Sequence, residues 1–226
     1  MTALHPRTRI KICGLTREQD VDAAVAAGAD AVGFVRYEAS ARHVDAARAA
    51  ALAARLPPFV TPVLLYVNAP AEVVAADCAR LPQALLQFHG DETPAQCVAL
   101  AAGRPFLRAA RIPLSAQVPF DLLAFAEQFS SAQALLLDAH VDGYGGAGKA
   151  FDWSRIPTNV NAHLVLSGGL TPANVGDGIA QVRPRAKSLA VDVSSGVEAA
   201  KGLKDAGRIR EFVAAVRAAD AVLATP

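Results

Sequence analysis

Eight times along the chain, a short β-branched or apolar run is followed by a longer, alanine-rich stretch whose apolar positions recur at helical spacing. Strands that alternate with helices in this way pair in parallel, because each helix carries the chain back across the sheet. The strand candidates are Arg9–Cys13, Ala31–Val35, Val63–Val67, Ala84–Phe88, Phe106–Ala110, Ala134–Asp138, His163–Leu166 and Ser188–Val193. Eight such units in 226 residues suit a minimal closed barrel better than an open doubly wound sheet, which has fewer strands. The predicted fold is α/β, a single-domain (β/α)8 TIM barrel over residues 1–226, with no linker or low-complexity segment to divide it.

Several predicted helix starts carry their own signals. Thr16 stands three residues before Gln19, and Thr93-Pro94-Ala95-Gln96 puts proline at the first helical position of a capping box. Thr171-Pro172 repeats that pattern, while Pro70, Asp152 and Asp205 open the third, sixth and eighth helices, the sixth cut short by Pro157.

Charge narrows the partners. Lysine and arginine number 22 against 21 acidic residues, a net charge of +1, so no overall field draws the chain to nucleic acid or to a membrane surface. The densest basic run, Arg183, Arg185 and Lys187 around Pro184, reads as a solvated loop. Cys13, Cys78 and Cys97 are odd in number and lack C-x-x-C spacing, which argues against a disulfide framework and against a zinc site, and no metal is expected. With no apolar leader near Met1 and no unbroken apolar run of membrane-spanning length, a cytoplasmic setting is expected.

In a barrel strand, alternate side chains face the helices and the interior, and functional groups gather at the C-terminal ends. Ile10 and Ile12 then face outward, leaving Lys11 and Cys13 inside; Leu135 and Leu137 face outward, leaving Leu136 and Asp138 inside. Cys13 and Asp138 would meet across one mouth. Gln87 and His89 share a face at the end of the fourth strand, and Asp192 is opposite in parity to Leu189, Val191 and Val193. His89 is read as a hydrogen-bonded pocket histidine and not as a base.

Two glycine loops carry the ligand signal. Ser167-Gly168-Gly169-Leu170-Thr171-Pro172 follows the seventh strand and runs into a helix start, and Asp192-Val193-Ser194-Ser195-Gly196-Val197 follows the eighth. Loops at these two positions bind phosphate in this fold, since glycine admits the backbone amides to phosphate oxygens. A third cluster, Gly143 to Lys149, reads as a flexible lid; it lacks both nucleotide-loop spacings, so no cofactor is expected.

Together these motifs resemble the phosphoribosylanthranilate isomerase family over nearly the whole chain. Lys11-Ile12-Cys13-Gly14-Leu15-Thr16 is similar to that family's opening motif, as are Gly33-Phe34-Val35 with Ser40-Ala41-Arg42, and Gln87-Phe88-His89-Gly90 with Glu92. Leu137-Asp138, Gly145-Gly146-Ala147-Gly148-Lys149, Phe151-Asp152-Trp153, Ser167-Gly168-Gly169-Leu170 with Asn174-Val175, and Asp192 through Glu198 with Lys204-Asp205 follow in family order. The resemblance implies an Amadori rearrangement of N-(5′-phosphoribosyl)anthranilate with Asp138 as acid and Cys13 as base. Lys11, counted with the substrate-binding residues, is the cation expected to favour the thiolate. Arg42 would hold the anthranilate carboxylate and Asp192 the amino nitrogen. The phosphate would rest on the amides of Gly168, Gly169, Ser195 and Gly196, helped by the hydroxyls of Ser194 or Ser195. The partner implied is a small phosphosugar, and the chain a monomer or homodimer.

Departures from the family pattern are Arg36 in place of an aromatic residue, Phe88 for leucine and Ala147 for threonine or serine; Arg36 leaves two arginines as candidates for the carboxylate. Other phosphate-binding barrels are the competing enzyme class, using lysine with glutamate or a pair of aspartates, and a non-catalytic phosphosugar-binding protein would keep the loops without acid and base.

Overall fold

In the computed structural model, which describes residues 7–115, 117–140 and 150–224, eight parallel strands close into a barrel in chain order. They are β1 (Arg9–Cys13), β2 (Ala31–Val35), β3 (Thr61–Tyr66), β4 (Leu85–Phe88), β5 (Phe106–Pro113), β6 (Ala134–His140), β7 (His163–Leu166) and β8 (Ser188–Val193). Closure is made by β1 against β8, with Arg9 opposite Ala190 and Ile12 opposite Val193. The predicted lid, Gly143 to Lys149, lies outside the described residues.

Four strands have the predicted bounds; the others differ for local reasons. β3 begins at Thr61 and takes in Pro62, a residue without an N–H to donate but near the strand's start, where a lost ladder bond matters least. β5 and β6 run on past the polar residues that seemed to end them, pairing Arg111 with Asp138 and Pro113 with His140. Their extension raises this part of the wall above the neighbouring strands, with Asp138 in it.

Seven α-helices lie among the described residues: α1 (Glu18–Ala27), α2 (Ala46–Ala53), α3 (Ala71–Arg80), α4 (Pro94–Ala101), α5 (Leu122–Gln128), α6 (Val175–Val182) and α7 (Ala206–Ala224). The Thr93 capping box forms on both sides, Asp205 Oδ1 accepts from the Arg208 amide at the start of α7, and Pro70 opens α3. Thr16 does not cap α1. Its hydroxyl donates to the Gly202 carbonyl at 3.2 Å, and the helix starts after Arg17, whose guanidinium is tied to Asp20. Nor does Thr171 cap a helix, because α6 begins four residues later. Where a sixth helix was predicted, Asp152 opens only a 3-10 turn, Trp153–Arg155, two residues before Pro157.

The strand parity divides the apolar residues as read. Ile10, Ile12, Leu135, Leu137, Val191 and Val193 pack outward against the helices, whereas Leu107, Ala109, Ala134, Leu136 and Val165 form a separate cluster inside the barrel. Each large side chain so buried contributes roughly 1.5–3 kcal/mol. The middle of the barrel is therefore packed, and polar inward-facing residues lie on either side of that layer: at the mouth with its immediate support, and at the N-terminal end, where Arg9, Thr61, His163 and Ser188 share the inward parity.

Candidate active site

At the C-terminal ends of the strands lies an open cavity. Cys13 of β1 and Asp138 of β6 both line it, on walls separated by β7 and β8. Val35, Leu65 and Val67 supply an apolar side, and the loops after β7 and β8 supply the polar one.

Below Cys13, Lys11 is buried and its Nζ donates to Asp192 Oδ1 at 2.9 Å across the β1–β8 closure. The Ser167 hydroxyl donates to the other oxygen of Asp192 at 3.3 Å. Burial alone would lower the lysine's pKa, but Asp192 and Cys13 outweigh it, so Lys11 stays firmly an ammonium. This corrects two expectations. Lys11 does not line the cavity, because its ammonium turns aside to Asp192, its partner across the β1–β8 seam, with Cys13 above it on β1. And it does not make Cys13 an easy thiolate: burial pushes the thiol up, and the pull of Lys11, partly cancelled by Asp192, does not reverse that.

A pH prediction follows. A base works deprotonated, so if Cys13 is the base its raised thiol moves the ascending limb of kcat/KM to higher pH than an ordinary thiol would give. Lys11→Met removes the lowering influence and is expected to move it higher still. The rate of iodoacetamide labelling of Cys13 against pH, read by peptide mapping, should trace the same limb. Labelling that is already complete at neutral pH would contradict this.

Asp138 is half of a pair. His89 Nε2 lies 2.9 Å from Asp138 Oδ2, and Oδ1 accepts from the Ala139 amide at 2.9 Å. Behind the ring, Gln87 Nε2 approaches His89 Nδ1 at 3.0 Å. An amide nitrogen donates, so Nδ1 accepts and the ring proton sits on Nε2, aimed at Asp138. His89 is thus the hydrogen-bonded pocket histidine expected, and its partner is the proposed acid itself.

The loop after β7 turns through two left-handed residues, Gly168 at φ 77° and Gly169 at φ 65°. A side chain at 168 would also strike the Ala139 nitrogen at 2.5 Å and Asp138 Oδ1 at 2.8 Å, so only glycine fits. Asn174 braces this loop, donating to the Gly169 carbonyl at 2.9 Å and accepting from the Thr171 amide at 2.8 Å. After β8 the chain makes a 3-10 turn, Ser195–Val197. Gly168, Gly169, Ser194 and Ser195 line the cavity. Gly196 stands behind them, pressed so closely on the Leu170 carbonyl that a Cβ would lie 1.9 Å from its oxygen. The two glycine loops are therefore packed against each other.

Of the two arginines, Arg42 lines the cavity. Arg36 does not: its Nε and Nη2 are spent on Asp77 at 2.7 and 3.1 Å, and its Nη1 on the Val44 carbonyl. Arg42 is itself held edge-on by Glu198, Nε to Oε1 at 2.7 Å and Nη2 to Oε2 at 2.8 Å. The same carboxylate accepts from Lys204 Nζ at 2.8 Å, across a two-stranded ribbon of β9 (Glu198–Ala200) and β10 (Leu203–Lys204). Burial opposes the charge on Glu198, but its two cations outweigh that and hold the carboxyl below the usual range. Lys204 is pulled below an ordinary lysine by burial, which Glu198 only partly offsets. Glu198, Lys204 and the role of Gln87 were not found from the sequence. All three sit in the motifs quoted; Glu198 pairs with distant Arg42 and with Lys204 across a ribbon that no periodicity signals, while Gln87 was placed on the face of His89 without its bond to the ring being read.

A (β/α)8 barrel with a thiol and a carboxyl over one cavity, and glycine loops after its last two strands, defines an acid/base enzyme acting on a small phosphorylated ligand. The chain belongs to the N-(5′-phosphoribosyl)anthranilate isomerase family, whose model matches residues 10–215. It is 66% identical over 218 residues to the N-(5′-phosphoribosyl)anthranilate isomerase of Methylibium petroleiphilum, covering 96% of this chain and 98% of that one. The enzyme of the same name from Leptothrix cholodnii is 65% identical, covering 95% and 93%. Among solved structures, the phosphoribosyl anthranilate isomerase of Thermotoga maritima superposes with a TM-score of 0.81 at 38% identity, covering 93% of this chain and 99% of that one. A phosphoribosyl anthranilate isomerase in complex with reduced 1-(o-carboxyphenylamino)-1-deoxyribulose 5-phosphate gives 0.78 at 36% identity, with the same coverage.

Proposed function

We propose that this protein isomerises N-(5′-phosphoribosyl)anthranilate to 1-(2-carboxyphenylamino)-1-deoxyribulose 5-phosphate, a step of tryptophan biosynthesis, without a cofactor. The observation that carries the reading is that a thiol and a histidine-paired carboxyl share one cavity with the β7 and β8 glycine loops. A proton taken up by the Asp138–His89 pair is delivered to the ribose ring oxygen while the nitrogen lone pair pushes in. The C1′–O4′ bond then breaks and leaves an open-chain iminium. The Cys13 thiolate next removes the C2′ proton to give an enolamine, which tautomerises to the ketone. Asp192, fixed by Lys11 and Ser167, accepts from the anthranilate nitrogen. The phosphate lies on the amides of Gly168, Gly169 and Ser195, with the Ser194 or Ser195 hydroxyl beside it. Gly196 serves by keeping the loops together.

Arg42 receives the anthranilate carboxylate through Nη1, which has no protein partner among the described residues; Nε and Nη2 are held by Glu198. Arg42→Ala is therefore expected to raise KM by one to two orders of magnitude with a smaller change in kcat, and an unchanged KM would move the carboxylate site elsewhere. The function itself is tested by following the loss of anthranilate-adduct fluorescence with purified protein and freshly made substrate. A rate equal to the uncatalysed one would reject it.

The chain is proposed to act as one barrel domain, as a monomer or homodimer, in a reducing cytoplasm, in keeping with the thiol its chemistry needs. No helix among the described residues is long and apolar enough to cross a membrane.

A further inference from the structure

Cys13, Arg42 and the β8 loop come from three separate parts of the chain, and one buried carboxylate lies at their junction. Glu198 takes Nε and Nη2 of Arg42 on its two oxygens and shares Oε1 with Lys204. Lys204, in turn, donates to the carbonyl and the hydroxyl oxygen of Ser194 at 3.0 and 3.1 Å. From beneath, the Arg42 stem crosses Gly14, the residue after Cys13, so closely that a Cβ there would lie 2.5 Å from Arg42 Cδ. The guanidinium thus has one free edge and little room to move. The Lys204 ammonium similarly fixes the residue from which the 3-10 turn Ser195–Val197 departs. Two cations share one anion, so the network keeps one positive charge beside the cavity.

Resting on the function proposed above, we propose that Glu198 is a positioning residue that sets the distance between the two anion-binding ends of the cavity. It ties the arginine for the substrate's carboxylate to the loop for its phosphate through a single side chain. A substrate with a carboxylate at one end and a phosphate at the other must satisfy both anchors at once, and misplacing either by an ångström costs far more than the lost contact. Glutamine cannot replace Glu198. Its amide offers one acceptor oxygen, and its NH2 group would face the N–H donors of Arg42 or Lys204.

The test uses calorimetric titration of the full-length protein with inorganic phosphate and, separately, with anthranilate, alongside steady-state kinetics. Glu198→Gln is expected to weaken both anions by about tenfold and to raise KM more than it lowers kcat. Arg42→Ala is expected to weaken anthranilate alone, and Ser194→Ala phosphate alone. Glu198→Asp keeps the charge and should recover part of the loss at each end. Near-UV circular dichroism checks the fold; should Glu198→Gln not fold, Glu198→Asp carries the same titrations, with smaller losses expected for both anions. Loss at only one end, no loss at either, or a fall in kcat with KM unchanged would overturn the proposal. The parent reading fails separately, when the unmodified protein binds neither anion or does not isomerise the substrate.

Discussion

Replacing Cys13 with serine is expected to lower kcat by about 10²–10⁴-fold, the usual contribution of a general base. The exchange is nearly isosteric, and Cys13 is buried under the mouth, so the fold should survive it. What changes is acidity. Among the described residues, a hydroxyl in this setting has no free amine beside it to take its proton. Lys11 is an ammonium bound to Asp192 and Lys204 is bound to Glu198, pairings that also occupy the two carboxylates. The serine then cannot collect the C2′ proton. Steady-state fluorescence with unlabelled and C2′-deuterated substrate checks this, since removing the base should make the C–H step limiting and bring out a full primary isotope effect. A variant with undiminished kcat would end the role given to the sulfur.

Asp138→Asn should cost a comparable factor, about 10²–10⁴-fold in kcat, for the opposite reason. The asparagine keeps one acceptor oxygen, which can serve His89 Nε2 or the Ala139 amide but not both, and its transferable proton is gone. Ring opening becomes limiting, and deuteration at C2′ should make no difference to the rate. The two variants thus leave different isotopic signatures, which a merely structural defect would not produce. Full activity in Asp138→Asn, or a large isotope effect, would mean that the ring oxygen gets its proton elsewhere.

Much of this architecture was legible in the sequence because periodicity reports it directly. The alternation at Ile10-Lys11-Ile12-Cys13 and Leu135-Leu136-Leu137-Asp138 separated helix-facing from inward residues correctly, and with it the position of the thiol and carboxyl. Glycines after β7 and β8 located the polar wall by the same strand-end logic. Thr16 and Thr171 misled because a threonine before a polar turn can cap a helix or make a tertiary hydrogen bond, and each made the latter or a turn instead. Lys11 misled more instructively. Parity put it next to Cys13, as it is, but said nothing of Asp192, 181 residues away, which takes its hydrogen bond and much of its field. Burial set the thiol's state while this long-range pair blunted the lysine's pull on it, and long-range pairing decided which arginine faces the cavity; no local pattern contains either.

The tight seat of Gly168 against Asp138 has a consequence for substrate choice. The proposed phosphate anchor and the proposed proton donor sit so close that not even a Cβ fits between them, so neither can drift far without disturbing the other. A dephosphorylated analogue would leave that anchor empty, and what it forfeits is alignment at the far end of the sugar as well as attachment. Its penalty falls on turnover as well as on affinity, since grip at a remote group is what orients the bond that breaks.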